Sequence, residues 1–115
     1  MARYEAHLQC PPLQRDDCQQ LVTQVAGALK VNPSWLDHHN AALALVLPPQ
    51  GLGVQMLLEF QNRGQVMALV NSREGMGQGA PQTRTCFEHL ISLLLQLLPT
   101  AQLRYRSDLD GPIRR

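Results

Sequence analysis

The chain has 115 residues, a net charge of +1, 44% hydrophobic residues and 17% charged ones. That length fits one domain with a core of its own, and the balance excludes both a disordered chain and a strongly polyanion-seeking one. Aromatic residues are only 4%, so Leu, Val, Ala and Met must fill the core.

In chain order, residues 2–9 (ARYEAHLQ) read as a first strand with Tyr4, Ala6 and Leu8 on one side. Pro11 and Pro12 close it, since proline has no N–H to donate to a ladder. The spacing of Cys18, Leu21, Val22, Val25 and Leu29 predicts a helix over 14–30, with Asp16 and Asp17 at its positive end and Lys30 at its negative end. Asn32 and Pro33 stop it. Residues 32–40 read as a polar connection with Trp35 and Leu36 tucked against the core.

Three strands are predicted next, at 41–47, 54–60 and 65–71. In the second, Val54, Met56, Leu58 and Phe60 share one face and Gln55, Leu57 and Glu59 the other. Gln61-Asn62-Arg63-Gly64 is a hairpin signal that makes the second and third strands antiparallel neighbours. Both faces of this pair carry apolar residues, so both are expected to be partly covered. A Gly-, Ser- and Gln-rich loop follows over 71–83. A second helix is predicted over 82–98, with a broad stripe of Phe87, Leu90, Ile91, Leu94, Leu95 and Leu98, ended by Pro99. The last strand, 101–106, should point Leu103 and Tyr105 inward and Gln102, Arg104 and Arg106 outward, and 107–115 reads as a flexible polar tail. The order β-α-β-β-β-α-β defines a single α+β domain over residues 1–115, with two helices on one face of a small mixed or antiparallel sheet.

Constellations for bond chemistry are weak. His38 and His39 are adjacent, which turns their rings to opposite sides of an extended chain and suits a shared metal poorly. The run Gly75-Met76-Gly77-Gln78-Gly79 lacks the Lys-Ser/Thr of a phosphate-cradling loop. Cys86 and His89 fall one helical turn apart, but Cys86 borders the apolar stripe and nothing supplies an oxyanion hole. Arg104, Tyr105 and Arg106 have the look of an RNA-reading strand, interrupted by Asp108 and Asp110. Three cysteines, Cys10, Cys18 and Cys86, do not make a disulfide framework and read as small apolar residues of a reducing compartment. The expectation is a non-enzymatic protein without cofactor, metal site, nucleic acid or membrane insertion. With no cleaved signal peptide and no long apolar run, it is expected to be made in the cytoplasm.

The segment Leu47-Pro48-Pro49-Gln50-Gly51-Leu52-Gly53 joins two very apolar runs. Pro49 fixes its own φ and closes the preceding strand, and Gly51 and Gly53 open backbone conformations denied to other residues. Leu52 is then either an apolar plug for the core or an anchor offered to a partner.

These residues, with the hairpin at 61–66 and the Leu-rich helix at 85–98, resemble the C-terminal substrate-specificity switch domain of type III secretion length-control proteins. That family comprises the needle-length rulers of injectisomes and the hook-length control proteins of flagella. Its pattern is a helix, a strand ending in Leu-x-Pro-x-x-Leu-Gly, an apolar hairpin, a Leu-rich helix and a final strand. Leu47, Pro49, Leu52 and Gly53 take the four motif positions, and the resemblance covers residues 14–106. Gln55 departs from it. An apolar residue is usual there, so the apolar phase shifts by one, and the strand turns its faces over unless a bulge absorbs the step.

The resemblance implies a monomeric recognition module, a fragment of a longer ruler, that leaves the cell through the type III apparatus. It implies binding to the cytoplasmic domain of the export-gate switch protein, with Leu47, Pro49, Leu52 and Gly53 as partner-binding residues and a charge at Leu52 breaking the contact without harming the fold. Two other classes remain open. One is a small cytoplasmic chaperone or immunity-type protein that masks a secreted partner, and the other an RNA-binding module.

Overall fold

A computed structural model describes residues 2–47, 52–72, 80–108 and 111–113. It is an α+β domain: β1 (Ala2–Gln9), α1 (Arg15–Leu29), β2 (Ser34–Trp35), β3 (Ala41–Leu47), β4 (Leu52–Gln61), β5 (Gln65–Ser72), α2 (Ala80–Leu97), β6 (Gln102–Asp108) and β7 (Gly111–Ile113). The strands form one seven-stranded sheet in the order β2-β3-β4-β5-β1-β6-β7. Every described pairing is antiparallel, so the sheet is not mixed.

Alternation builds the inner face. Tyr4, Ala6 and Leu8 on β1, Val54, Met56, Leu58 and Phe60 on β4, and Val66, Ala68 and Val70 on β5 are all buried. Helix α1 adds Cys18, Leu21, Val22, Val25 and Ala26, and α2 adds Phe87, Leu90, Ile91 and Leu94 to the same cluster. Helix α2 lies over β5 and β1, and α1 lies against α2. Phe87 stacks on Tyr4 at 5.3 Å between ring centroids, one of the few ring pairs this aromatic-poor core has. No described helix or strand packs over the outer face, where Leu57, Met67 and Leu69 stay half-exposed. The outer-face residues are thus partly buried, as expected, though no described helix or strand lies over them.

Helix α1 begins where Asp17 accepts the Gln14 N–H at 3.1 Å, relieving one orphan donor of the first turn. It ends in a Schellman arrangement. Lys30 turns left-handed at φ 60°, its N–H reaching Gly27 O at 3.2 Å and that of Val31 reaching Ala26 O at 3.0 Å. The reversal comes from this cap, before Asn32 and Pro33 are reached.

Several expectations change. Residues 34–35 form β2, pairing Ser34 with Ala42 and Trp35 with Ala41. Trp35 and Leu36 are not tucked in but 43% and 59% exposed. The cause is the turn that follows, where the Asp37 carboxylate accepts the N–H groups of His39 and Asn40 and Leu36 N–H reaches Asn40 O at 2.8 Å. That turn holds 34–36 as an arm on the sheet edge. The same bonds, led by the one from His39 N–H, keep the Asp37 carboxyl below the usual aspartate range.

The final strand also differs. Strand β6 runs to Asp108 and β7 pairs with it through Arg106↔Ile113, Ser107↔Pro112 and Asp108↔Gly111, so residues 107–108 and 111–113 are strand and not tail. Its pairing with β1 slips between His7↔Tyr105 and Leu8↔Leu103, a bulge that gives β6 one extra residue. Past the bulge the inward phase moves from odd to even positions. Arg106, expected outside, is 3% exposed and lies in the core.

That burial has a partner. The Arg106 guanidinium forms a two-pronged ion pair with Glu88 on α2, Nη1 to Oε2 at 3.2 Å and Nη2 to Oε1. Its carbon stands 5.1 Å from the Phe87 ring centroid. Glu88 is 43% exposed at the side chain against 4% for Arg106, so the pair is lopsided. Replacing Glu88 with Ala strands a buried cation, and a loss of about 2 kcal/mol is expected, less than for a wholly buried pair because water reaches the carboxylate position. Arg106→Met removes the buried charge itself and should cost less. Urea unfolding of the two variants checks the order.

Candidate docking site along the β3 edge

Strands β3 and β4 form a hairpin whose register runs without a bulge from Ala41↔Leu58 to Leu47↔Leu52. Gln55 therefore keeps its outward place and the apolar residues on either side of it keep theirs. The phase shift set by Gln55 needs no correction along this strand. Strand β4 begins at Leu52, two residues before the expected start, because Leu52 still pairs across to Leu47.

Of the four residues singled out in the motif, Leu47 is half-buried against the core rim and Leu52 is 3% exposed. Pro49 lies outside the described residues. Leu52 is the plug of the two readings open for it, and its side chain is not offered outward. The expectation that a charge there would spare the fold is corrected on this ground. Gly53 lies in regular strand, exposed, with nothing within 4 Å of where a Cβ would stand. Its φ is not positive, so no special backbone conformation requires glycine at this position.

Gly53 acts by what it leaves out. It pairs with Val46, and with no side chain on the glycine Val46 stands uncovered on the outer face, 75% exposed. A shallow groove of about 420 Å³ opens beside it, lined by Ala44, Val46, Gly53, Gln55 and Asn71 among others. No residue between positions 41 and 58 is charged.

The large apolar side chains left exposed among the described residues are Trp35, Leu36 and Val46. All belong to β2, the turn after it, or β3, along one margin of the sheet. The residue signal for this margin was present but scattered. Trp35 and Leu36 occur in a polar stretch with no apolar period, and Val46 occurs in a strand apolar on both faces.

The groups weighed for bond chemistry are dispersed. The His38 ring faces Arg15, Nδ1 to Nη2 at 3.0 Å, while the His39 ring lies edge-on to Phe60 at 6.5 Å. Among the described residues no three His, Cys, Asp or Glu side chains gather as metal ligands. Burial pushes the thiols of Cys10, Cys18 and Cys86 up, away from the thiolate a nucleophile needs. Residues 75–79 lie outside the described residues. The arginine strand is broken by the inward turn of Arg106, leaving Arg104 exposed alone. Among the described residues no helix is long and apolar enough to cross a membrane.

No protein-family model matches the chain, and no curated protein matches it.

Proposed function

We propose that this chain is a protein-recognition module of the type III secretion length-control kind, which binds the cytoplasmic domain of the export-gate switch protein and thereby turns export from early to later substrates. The order of elements around residues 47–53 supports the reading. The observation that carries it is the β3 margin, where Val46 stands 75% exposed within a stretch, residues 41–58, that carries no charge. Trp35 pairs with inward-facing Ala41 and Val46 with outward-facing Gly53, so they stand on the two faces of one margin, and what supports a contact there is the apolar, unblunted edge between them. The contact point moves from Leu52, as first expected, to the residues that stand outside.

The test is a calorimetric titration of the chain with the cytoplasmic domain of the export-gate switch protein from the same apparatus, paired with molar mass in solution. A saturable complex from a monomeric chain is the expected result. No heat at any accessible concentration overturns the reading. A stable dimer of the free chain, with the apolar margin inside it, replaces the reading with a masking chaperone.

A further inference from the structure

Strand β3 is paired on its outer side only where β2 covers it, at Ala41 and Ala42. The cover stops because Pro33 precedes Ser34, and proline cannot extend the ladder. Residues 43–47 have no described strand on that side. In an antiparallel sheet every second residue of such a stretch turns its N–H and C=O outward, where they await a partner.

Sheet edges are normally blunted by charge, proline or a bulge. The opposite margin follows that rule, for its last strand β7 has three residues and carries Pro112, and β6 beside it carries a bulge and the exposed Arg104. The β3 margin does not. Its sequence over the free stretch is Leu-Ala-Leu-Val-Leu, its pairing with β4 is regular, and Val46 stands 75% exposed on it. Leu45 and Leu47, on the inner side, only partly join the core, so the apolar layer is left open at this rim.

We propose that residues 43–47 accept an extended, uncharged segment of the partner as an added edge strand in line with β2. This rests on the protein-recognition reading above and specifies its geometry. Three observations define the occupant. Outward-turned backbone groups ask for an extended chain. The half-covered Leu45 and Leu47 ask for apolar side chains at alternate positions, to continue the inner layer. The lack of charge from 41 to 58 gives an acidic or basic peptide nothing to pair with. Ser34 then abuts one end of the added strand, and Val46 stands exposed beside the other. A second copy of this chain is the poorer fit. Two copies pairing edge to edge would share only that five-residue contact, well short of the roughly 20–30 residues per side of a stable dimer, whereas a transient switch contact needs no such area.

The experiment is amide hydrogen exchange on the chain, alone and with the cytoplasmic domain of the export-gate switch protein, together with titrations of three variants. Ala44→Lys and Val46→Lys place an edge-blocking charge on exposed positions, and Gln24→Lys places the same charge on exposed α1. Slowed exchange in 43–47 on binding is expected, with affinity falling tenfold or more for the two β3 variants, unchanged for Gln24→Lys, and the circular dichroism of all three unaltered. Binding with protection elsewhere and unchanged affinity for the β3 variants overturns the added strand while leaving the recognition reading in place. Absence of any binding overturns both. Protection of 43–47 that grows with the concentration of the chain alone overturns the partner segment in favour of a second copy.

Discussion

Gly64→Ala is expected to lower stability by about 3–5 kcal/mol, enough to unfold a large share of a domain whose whole margin is about 5–15 kcal/mol. Gly64 holds φ +78°, and a Cβ built there would run into the Cys10 carbonyl oxygen, with the Cys10 and Pro11 carbonyl carbons at 2.9 and 3.0 Å. Those neighbours are backbone, so no side chain can swing aside. The left-handed conformation alone costs an alanine roughly 1 kcal/mol, and the clash must be relieved by pulling two segments apart. What separates is a staple between the β4–β5 turn and the β1–α1 connection. Cys10 N–H donates to Gly64 O at 3.0 Å, Cys10 Sγ approaches the same oxygen at 3.2 Å, and Gln9 Nε2 donates to Arg63 O at 2.6 Å. Loss of the buried bonds at Cys10 costs about 1–3 kcal/mol each when a group is left unpaired, and the exposed Gln9–Arg63 bond less. Gly53→Ala is the matched control. Its Cβ meets nothing within 4 Å, so it should be neutral or add up to about 1 kcal/mol by restricting the unfolded chain. Denaturant midpoints of the two variants against the parent measure the contrast.

The two glycines show what a linear reading can and cannot see. Both occur in turn-like contexts, and composition treats them alike. What separates them is the Cys10 carbonyl, fifty-four residues away from Gly64 in sequence. The elements set by local period were legible for the opposite reason. The 3.6-residue spacing of Cys18, Leu21, Val22 and Val25, and the strict alternation from Val54 to Phe60 and from Val66 to Val70, need no distant partner to declare a face. Strand β2 is not legible because two residues carry no period, and nothing local in the sequence shows that the turn closed by Asp37 holds Trp35 outside the core. Arg106 was placed outside by counting alternate residues from Leu103, and the count fails at a bulge that exists only in the pairing with β1. Its burial also depends on Glu88, a charged residue that falls outside the apolar stripe of α2. The margin of the candidate site was half visible: Val46 and Gly53 border the proline-glycine segment, but that Gly53 exposes Val46 follows from their register, which sequence spacing does not reveal.

Leu52→Asp is the second large effect, and it separates folding from docking. Leu52 is 3% exposed and pairs with Leu47 at the last described rung of the β3–β4 hairpin, so its side chain fills the end of the core. Removing that side chain costs about 2–5 kcal/mol, and placing a carboxylate in the same apolar space adds to it, for an expected loss of about 4 kcal/mol or more. The same charge at Val46, already in solvent, should change stability by no more than about 0.5 kcal/mol. A carboxyl buried at 52 would have its folded pKa raised above the unfolded value. The charge penalty then grows as pH climbs from the ordinary aspartate range through the raised folded pKa, and it vanishes below both, leaving only the lost packing. Leu52→Asn carries the packing loss without that pH dependence. Urea unfolding of Leu52→Asp, Leu52→Asn and Val46→Asp at acid and neutral pH therefore resolves the plug from the exposed contact. If Leu52→Asp unfolded like the parent at neutral pH, the side chain at 52 would not be in the core, and the corner would again be free to present it. If it is destabilised while Val46→Asp is not, any loss of partner affinity in Leu52→Asp reports a damaged fold. Only the exposed Val46 can then be read as contact surface at this end of the hairpin.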